Sequence, residues 1–145
     1  MTKTWILVAN ASKAKIFSVN KLKFLTGKEK LESVQEFTHP ASRKKDVDIA
    51  SDKLGHYKEG SFVEPTDPKK YEAESFAREI VSTLEAARVA NEFDELILVV
   101  PAQFRGMMNK HLRSPLEQVI SKVIEKDYTK DGEKVLEKHL LKQIG

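Results

Sequence analysis

Residues 93–113 read FDELILVVPAQFRGMMNKHLR, and this stretch decides the fold. Leu96 to Val100 is an unbroken apolar run rich in branched side chains, with Asp94 and Glu95 before it and Pro101 after it. A strand apolar at every position must be covered on both faces, as happens to an inner strand of an α/β sheet. Pro101 has no N–H to donate and ends the ladder. Beyond it Phe104, Met107, Met108 and Leu112 share one helical face, with Gly106 inside the helix and Pro115 closing it. Glycine there costs about 1 kcal/mol relative to alanine, so either the helix is short or something comes close to its backbone.

Working outward, Asp67 and Pro68 predict an N-cap and a first helical position. Behind them Ala73, Phe76, Ala77, Ile80, Val81, Leu84 and Ala87 form the apolar stripe of a helix ending near Asn91. At the other end of the chain, Trp5 to Ala9 and Lys15 to Val19 are apolar runs joined by turn-forming residues from Asn10 to Lys13. Leu31 to Phe37 alternates after the Thr26 and Gly27 turn signal. These three strands predict an antiparallel meander with the first innermost. Between Thr38 and Thr66 no period survives, and a loop of that length in a compact domain tends to be functional or mobile. The pattern from Val119 to Tyr128 leaves strand and helix both open; a strand is the expectation adopted. A closing helix from Glu133 to Gln143 places Val135, Leu136, His139 and Leu140 on one stripe. The order β-β-β-α-β-α-β-α is that of a ribonuclease-H-like mixed sheet in a single α/β domain.

At 145 residues the chain is long enough for one substantial core without staples. It has no cysteine, which excludes thiol catalysis, Cys-ligated zinc and disulfides. The opening MTKTWILVAN holds only five consecutive apolar residues, too few for a signal-peptide core or a membrane span, so a cytoplasmic protein is expected. Net charge is +3, a small excess. Its distribution matters more. Arg105, Lys110, Arg113, Lys122 and Lys126 outnumber Glu117 and Glu125, while Arg43, Lys44, Lys45, Lys53 and Lys58 outnumber Asp46, Asp48 and Asp52. If the two segments share a face they make a phosphate-binding patch; otherwise they are ordinary solvated surface.

Nucleases of the ribonuclease-H-like fold hold divalent metal with carboxylates on the first and middle strands. Here those places carry Ala9 and Asn10, and Val100 and Pro101, so the metal site is missing. Ser51, Asp52 and His56 have the residue types of a hydrolytic triad but are neighbours in sequence, whereas a triad is a matter of geometry. His39, Asp46, Asp48 and His56 match no metal-ligand spacing. His111 and His139 lie beside apolar stripes and read as boundary residues, and Met107 and Met108 as core. Arg105 and Gly106 stand at the carboxyl edge of the sheet, where open α/β folds bind ligands. No acid/base pair, activated nucleophile or phosphate loop emerges, so neither catalysis nor a cofactor is expected.

The pieces TWILVANASKAKIF, SDKLGH, ESFAREIVSTL, FDELILVVPAQFRGMMNKHL and IEKDYTKDGEKVLEKHL together resemble the bacterial host attachment protein family, over nearly the whole chain. That family is similar to the middle domain of archaeal and eukaryotic class-1 release factors and of Pelota, which implies the same ribonuclease-H-like topology. In the release factors the segment after the third strand carries a Gly-Gly-Gln tripeptide. This chain has none, and holds Ser51, Asp52, Lys53, Leu54, Gly55 and His56 there. The resemblance therefore implies no peptide release by that route. His56 stands where the family shows arginine, which removes a planar fork suited to phosphate.

Two functions follow as expectations. One is a non-catalytic RNA- or ribosome-associated module using Arg43, Lys44, Lys45, Ser51, Asp52, Lys53, Gly55 and His56 together with Arg105, Gly106 and Arg113. The other is a protein-interaction or small-molecule module acting indirectly in attachment to host cells.

Overall fold

The computed structural model describes residues 3–39 and 68–145. Strand β1 (Thr4–Ala9) is buried at all six positions. It pairs antiparallel with β2 (Lys13–Val19), from Thr4 opposite Val19 to Ala9 opposite Ala14. Asn10 makes the reversal: its Oδ1 accepts from Ser12 N at 2.8 Å and Lys13 N at 3.0 Å. An asparagine side chain that satisfies its own turn is the reason the residue type signals one.

The second link is not the simple turn that the sequence predicts. Helix α1 (Lys21–Leu25) intervenes before β3 (Glu32–Thr38). Asn20 caps it by accepting from Lys23 N, and Gly27 at φ +78° ends it. The closing bonds are Lys28 N to Lys23 O at 2.8 Å and Gly27 N to Phe24 O at 3.1 Å, the Schellman pattern. One helical turn is too short to show a 3.6-residue period, but Phe24 is buried beneath it.

Helix α2 (Pro68–Val89) carries the expected stripe, with Phe76, Ala77, Ile80 and Leu84 fully buried. Its expected cap, Asp67, lies outside the described residues. Strand β4 (Glu95–Val99) follows, then α3 (Ala102–Asn109), a single 3₁₀ turn (Glu117–Val119), β5 (Ile120–Ile124) and α4 (Glu133–Ile144). The sheet runs β3-β2-β1-β4-β5, with β1 parallel to β4 and β4 parallel to β5. Thus the first strand is the middle one, as its burial requires.

The apolar run of β4 divides between two cores. Leu96, Leu98 and Val100 face α2 and α3 along with Trp5, Leu7 and Ile16. Ile97 and Val99 face α1 and α4 along with Ile6, Val8 and Phe17. Each such side chain taken fully out of water is worth about 1.5–3 kcal/mol, and a strand covered twice collects this at every residue. The result is a mixed α/β fold with a five-stranded sheet between helical layers, with four α-helices among the described residues. Three details differ from expectation. Helix α3 stops at Asn109 instead of reaching Pro115, although Leu112 stays buried. The last strand covers only Ile120–Ile124 of the stretch from Val119 to Tyr128. Val135 is 48% exposed and leaves the buried stripe of α4 to Leu136 and Leu140.

Candidate functional site

Because β1, β4 and β5 are parallel and β3 is antiparallel to β2, the carboxyl ends of β1, β3, β4 and β5 meet at one edge. Thr38 at the end of β3 pairs with Lys13, and the next N–H, that of His39, donates to Ser12 O at 2.9 Å. The His39 ring is buried, with Nε2 2.6 Å from Glu72 O near the start of α2 and its centroid 5.1 Å from that of Phe76. Both flanks of residues 40–67 are therefore fastened at this edge.

Asn10 and the chain after β5 close the edge between them. Asn10 Nδ2 donates to Asp127 Oδ2 and to Thr129 Oγ1, each at 3.0 Å. Asp127 Oδ1 in turn accepts from Thr129 N at 3.0 Å and Thr129 Oγ1 at 2.6 Å. Partial burial pushes the Asp127 carboxyl up, but the bonds from Asn10 and Thr129 and the charge of Lys130 outweigh it and hold it below the ordinary aspartate value. An amide thus stands beside one carboxylate at this edge. Among the described residues no three His, Asp or Glu side chains converge closely enough to hold a metal ion.

Helix α3 starts at the same edge. Its N-cap is Pro101, with no side-chain cap bond, so the first-turn N–H groups and the positive end of the helix are turned to the edge. Arg105 Nη1 lies 2.7 Å from Glu125 Oε2, a partly exposed ion pair that spends some of its charge within the chain. Gly106 has open space where a Cβ would be, with nothing within 4 Å. No neighbour among the described residues crowds it, so close packing within the chain does not account for glycine there. Arg113 is not brought to this site. It sits on the return toward the amino end of β5 and donates to the carbonyls of Lys110 and Leu112, each at 3.1 Å. Arg43, Lys44, Lys45, Ser51, Asp52, Lys53, Gly55 and His56 lie outside the described residues, as do Asp46 and Asp48.

Sequence reasoning missed Asp127 and Thr129, which are 117 and 119 residues from Asn10 and share no local pattern with it. It also missed two further polar clusters. At the amino edge Glu95 accepts from Ser121 Oγ at 2.5 Å, Lys21 Nζ at 2.9 Å and Thr4 Oγ1 at 3.3 Å. Burial raises this carboxyl, and the bonds from Ser121, Lys21 and Thr4 with the Lys21 charge bring it below the usual glutamate value. Near the carboxyl edge His139 Nδ1 lies 2.8 Å from Asp131 Oδ2, while the ring stacks on Tyr128 at 4.4 Å. His139 is the boundary residue that the sequence predicts, and its partners become visible only in three dimensions.

No helix among the described residues is long and apolar enough to cross a membrane. No curated protein matches the chain. The family model described as "Protein required for attachment to host cells" matches residues 5–140, a span that includes all of β1 but its first residue, the carboxyl edge and the buried Leu136 and Leu140 of α4. The chain belongs to the family of proteins required for attachment to host cells.

Proposed function

We propose that this chain is a non-catalytic binding domain that engages RNA or the ribosome through the carboxyl edge of its sheet and the segment spanning residues 40–67. The observation that carries this reading is the fastening of both flanks of that segment, through His39 and the start of α2, at the edge where α3 presents its uncapped N-terminus. The segment brings Arg43, Lys44, Lys45 and Lys53. Helix N-termini and lysines both attract phosphate. The strand order β3-β2-β1-β4-β5, antiparallel then parallel, supports a ribonuclease-H-like topology and with it a likeness to release-factor middle domains. Binding is favoured over catalysis because Asn10, Asp127 and Thr129 are committed to one another.

The test is sedimentation with ribosomes and with free RNA across a salt series, for the native chain and for one carrying Arg43→Gln, Lys44→Gln, Lys45→Gln and Lys53→Gln. Losing four phosphate contacts should flatten the slope of log affinity against log salt by about 3–4. Absence of co-sedimentation at low salt would remove the reading.

A second reading, a protein-interaction module, is favoured by one observation. Arg105 is paired with Glu125, which leaves mixed charge on the described part of this surface. A protein partner recovered equally well after nuclease treatment would favour it.

A further inference from the structure

The sheet face covered by α1 and α4 has an outer surface unlike the rest of the described residues. Leu136 and Leu140 point α4 inward, so one turn of arithmetic at 100° per residue sets Lys134, Lys138 and Lys142 in a row on its outermost line. All three are exposed and make no ion pair among the described residues. Val135 and Leu141 flank the row, 48% and 38% exposed. Next to the end of α4 lies α1, whose Leu25 Cδ2 is 3.6 Å from the Cβ position of Gly145 and whose Leu22 is 71% exposed. Three of the five exposed large apolar side chains among the described residues fall on these two helices. A hollow of about 350 Å³ lined by Asn20, Lys21, Leu22, Leu25 and Glu95 adjoins them. Lys23, Lys28 and Lys30 add exposed charge in α1 and the turn after it. Nearby acids are mostly engaged: Glu29 accepts from Asn20 N and Glu137 from Leu31 N, Asp131 meets His139 and Glu95 meets Lys21, while Glu36 and Glu133 lie together at the start of α4.

We propose that this face docks on an anionic lipid surface, with the lysine row against the headgroups and Leu22, Leu141 and Val135 seated beside it at the headgroup level. Exposed leucines among the lysines add apolar contact at the headgroup level, and charge complementarity selects an anionic leaflet. The apolar side chains decide against a nucleic acid at this face. Phosphate needs no leucine, and base stacking needs exposed aromatic rings, whereas here Phe24 is buried and Tyr128 is covered by His139. The lysine row starts beside the carboxyl edge at Lys134 and runs away from it along α4, and the two assignments are told apart by their probes, vesicles for this face and RNA for the edge.

The test is flotation of the full chain with phosphatidylcholine vesicles and with vesicles that also contain phosphatidylserine. Binding is expected only to the second kind and should weaken with salt. The variant Lys134→Gln/Lys138→Gln/Lys142→Gln should bind them on the order of a hundredfold more weakly, at about fivefold per lysine. Leu22→Ser/Leu141→Ser should lose roughly tenfold by giving up apolar contact. All five positions are exposed, and unchanged circular dichroism and melting would confirm intact folding. No flotation with anionic vesicles at low salt would overturn the proposal, as would a leucine variant that binds like the native chain. A lysine variant that loses RNA binding while keeping vesicle binding would assign the face to nucleic acid instead.

Discussion

Asn10→Asp tests the network at the carboxyl edge at a single atom. The new carboxylate keeps the oxygen that accepts from Ser12 N and Lys13 N, so the turn survives. It replaces the Nδ2 donor, 3.0 Å from Asp127 Oδ2, with a second acceptor. Losing a hydrogen bond to a charged group costs about 1.5 kcal/mol at the low end. Two like charges 3.0 Å apart add about 1.4 kcal/mol even at the dielectric of bulk water, the appropriate choice for an exposed aspartate. The sum is about 3 kcal/mol at neutral pH. With an unfolding entropy of about 2.1 cal/mol/K per residue over 145 residues, this lowers Tm by about 10 °C. The sign of the pH dependence is distinctive. In the native chain the lowered Asp127 carboxyl contributes stability above the ordinary aspartate range and loses it as pH falls through its folded value. In the variant the paired carboxylates raise one another, so the folded state takes up a proton first and regains stability as pH falls. The gap in Tm between the two chains should therefore be widest near pH 8 and shrink toward pH 4. Thermal melts read by circular dichroism at several pH values measure it. A gap that is constant or that widens in acid would refute the account of this network.

Three other perturbations have clear expected outcomes. Gly106→Ala should stabilise by about 0.8–1 kcal/mol in chemical denaturation, since alanine favours the helix and its Cβ enters open space; a destabilised variant would mean that α3 is not helical there. Leu98→Ala removes a side chain 1% exposed on an inner strand and should cost about 3–5 kcal/mol by the same measurement, a cost under 1 kcal/mol contradicting its burial. Glu95→Gln should cost about 1–2 kcal/mol at pH 7 by removing the charged partner of Lys21, with the difference from the native chain shrinking only as pH falls through the lowered folded value of Glu95; urea titrations at pH 7 and at successively lower pH decide it.

What the sequence discloses, and what it hides, follows from range. Leu96 to Val100 and the stripe from Ala73 to Ala87 are legible because burial repeats along the chain with the period of the element. Helix α1 is hidden because Lys21–Leu25 is shorter than two turns, though Asn20 and Gly27 are the right residues to cap it. Val135 fits the apolar spacing but faces outward, since spacing alone does not locate the centre of a stripe. At the candidate site Asn10 is legible as a turn former. Its second role, holding Asp127 and Thr129, depends on β1 and the chain after β5 ending at one edge, a consequence of topology. Likewise Arg105 and Arg113 look equivalent as basic residues of one segment, yet the fold keeps Arg105 in the first half of α3 and puts Arg113 beyond its end.

The claim that the carboxyl edge is the binding surface is tested most directly by site-specific photocrosslinking to ribosomes. A photoreactive residue at Gln103, exposed in the first turn of α3, is compared with one at Arg113, exposed on the return toward the opposite edge. The account predicts RNA adducts from Gln103, abolished by high salt, and none from Arg113. RNA adducts from Arg113 alone, equal labelling at both, or no RNA adduct from Gln103 at low salt would contradict it.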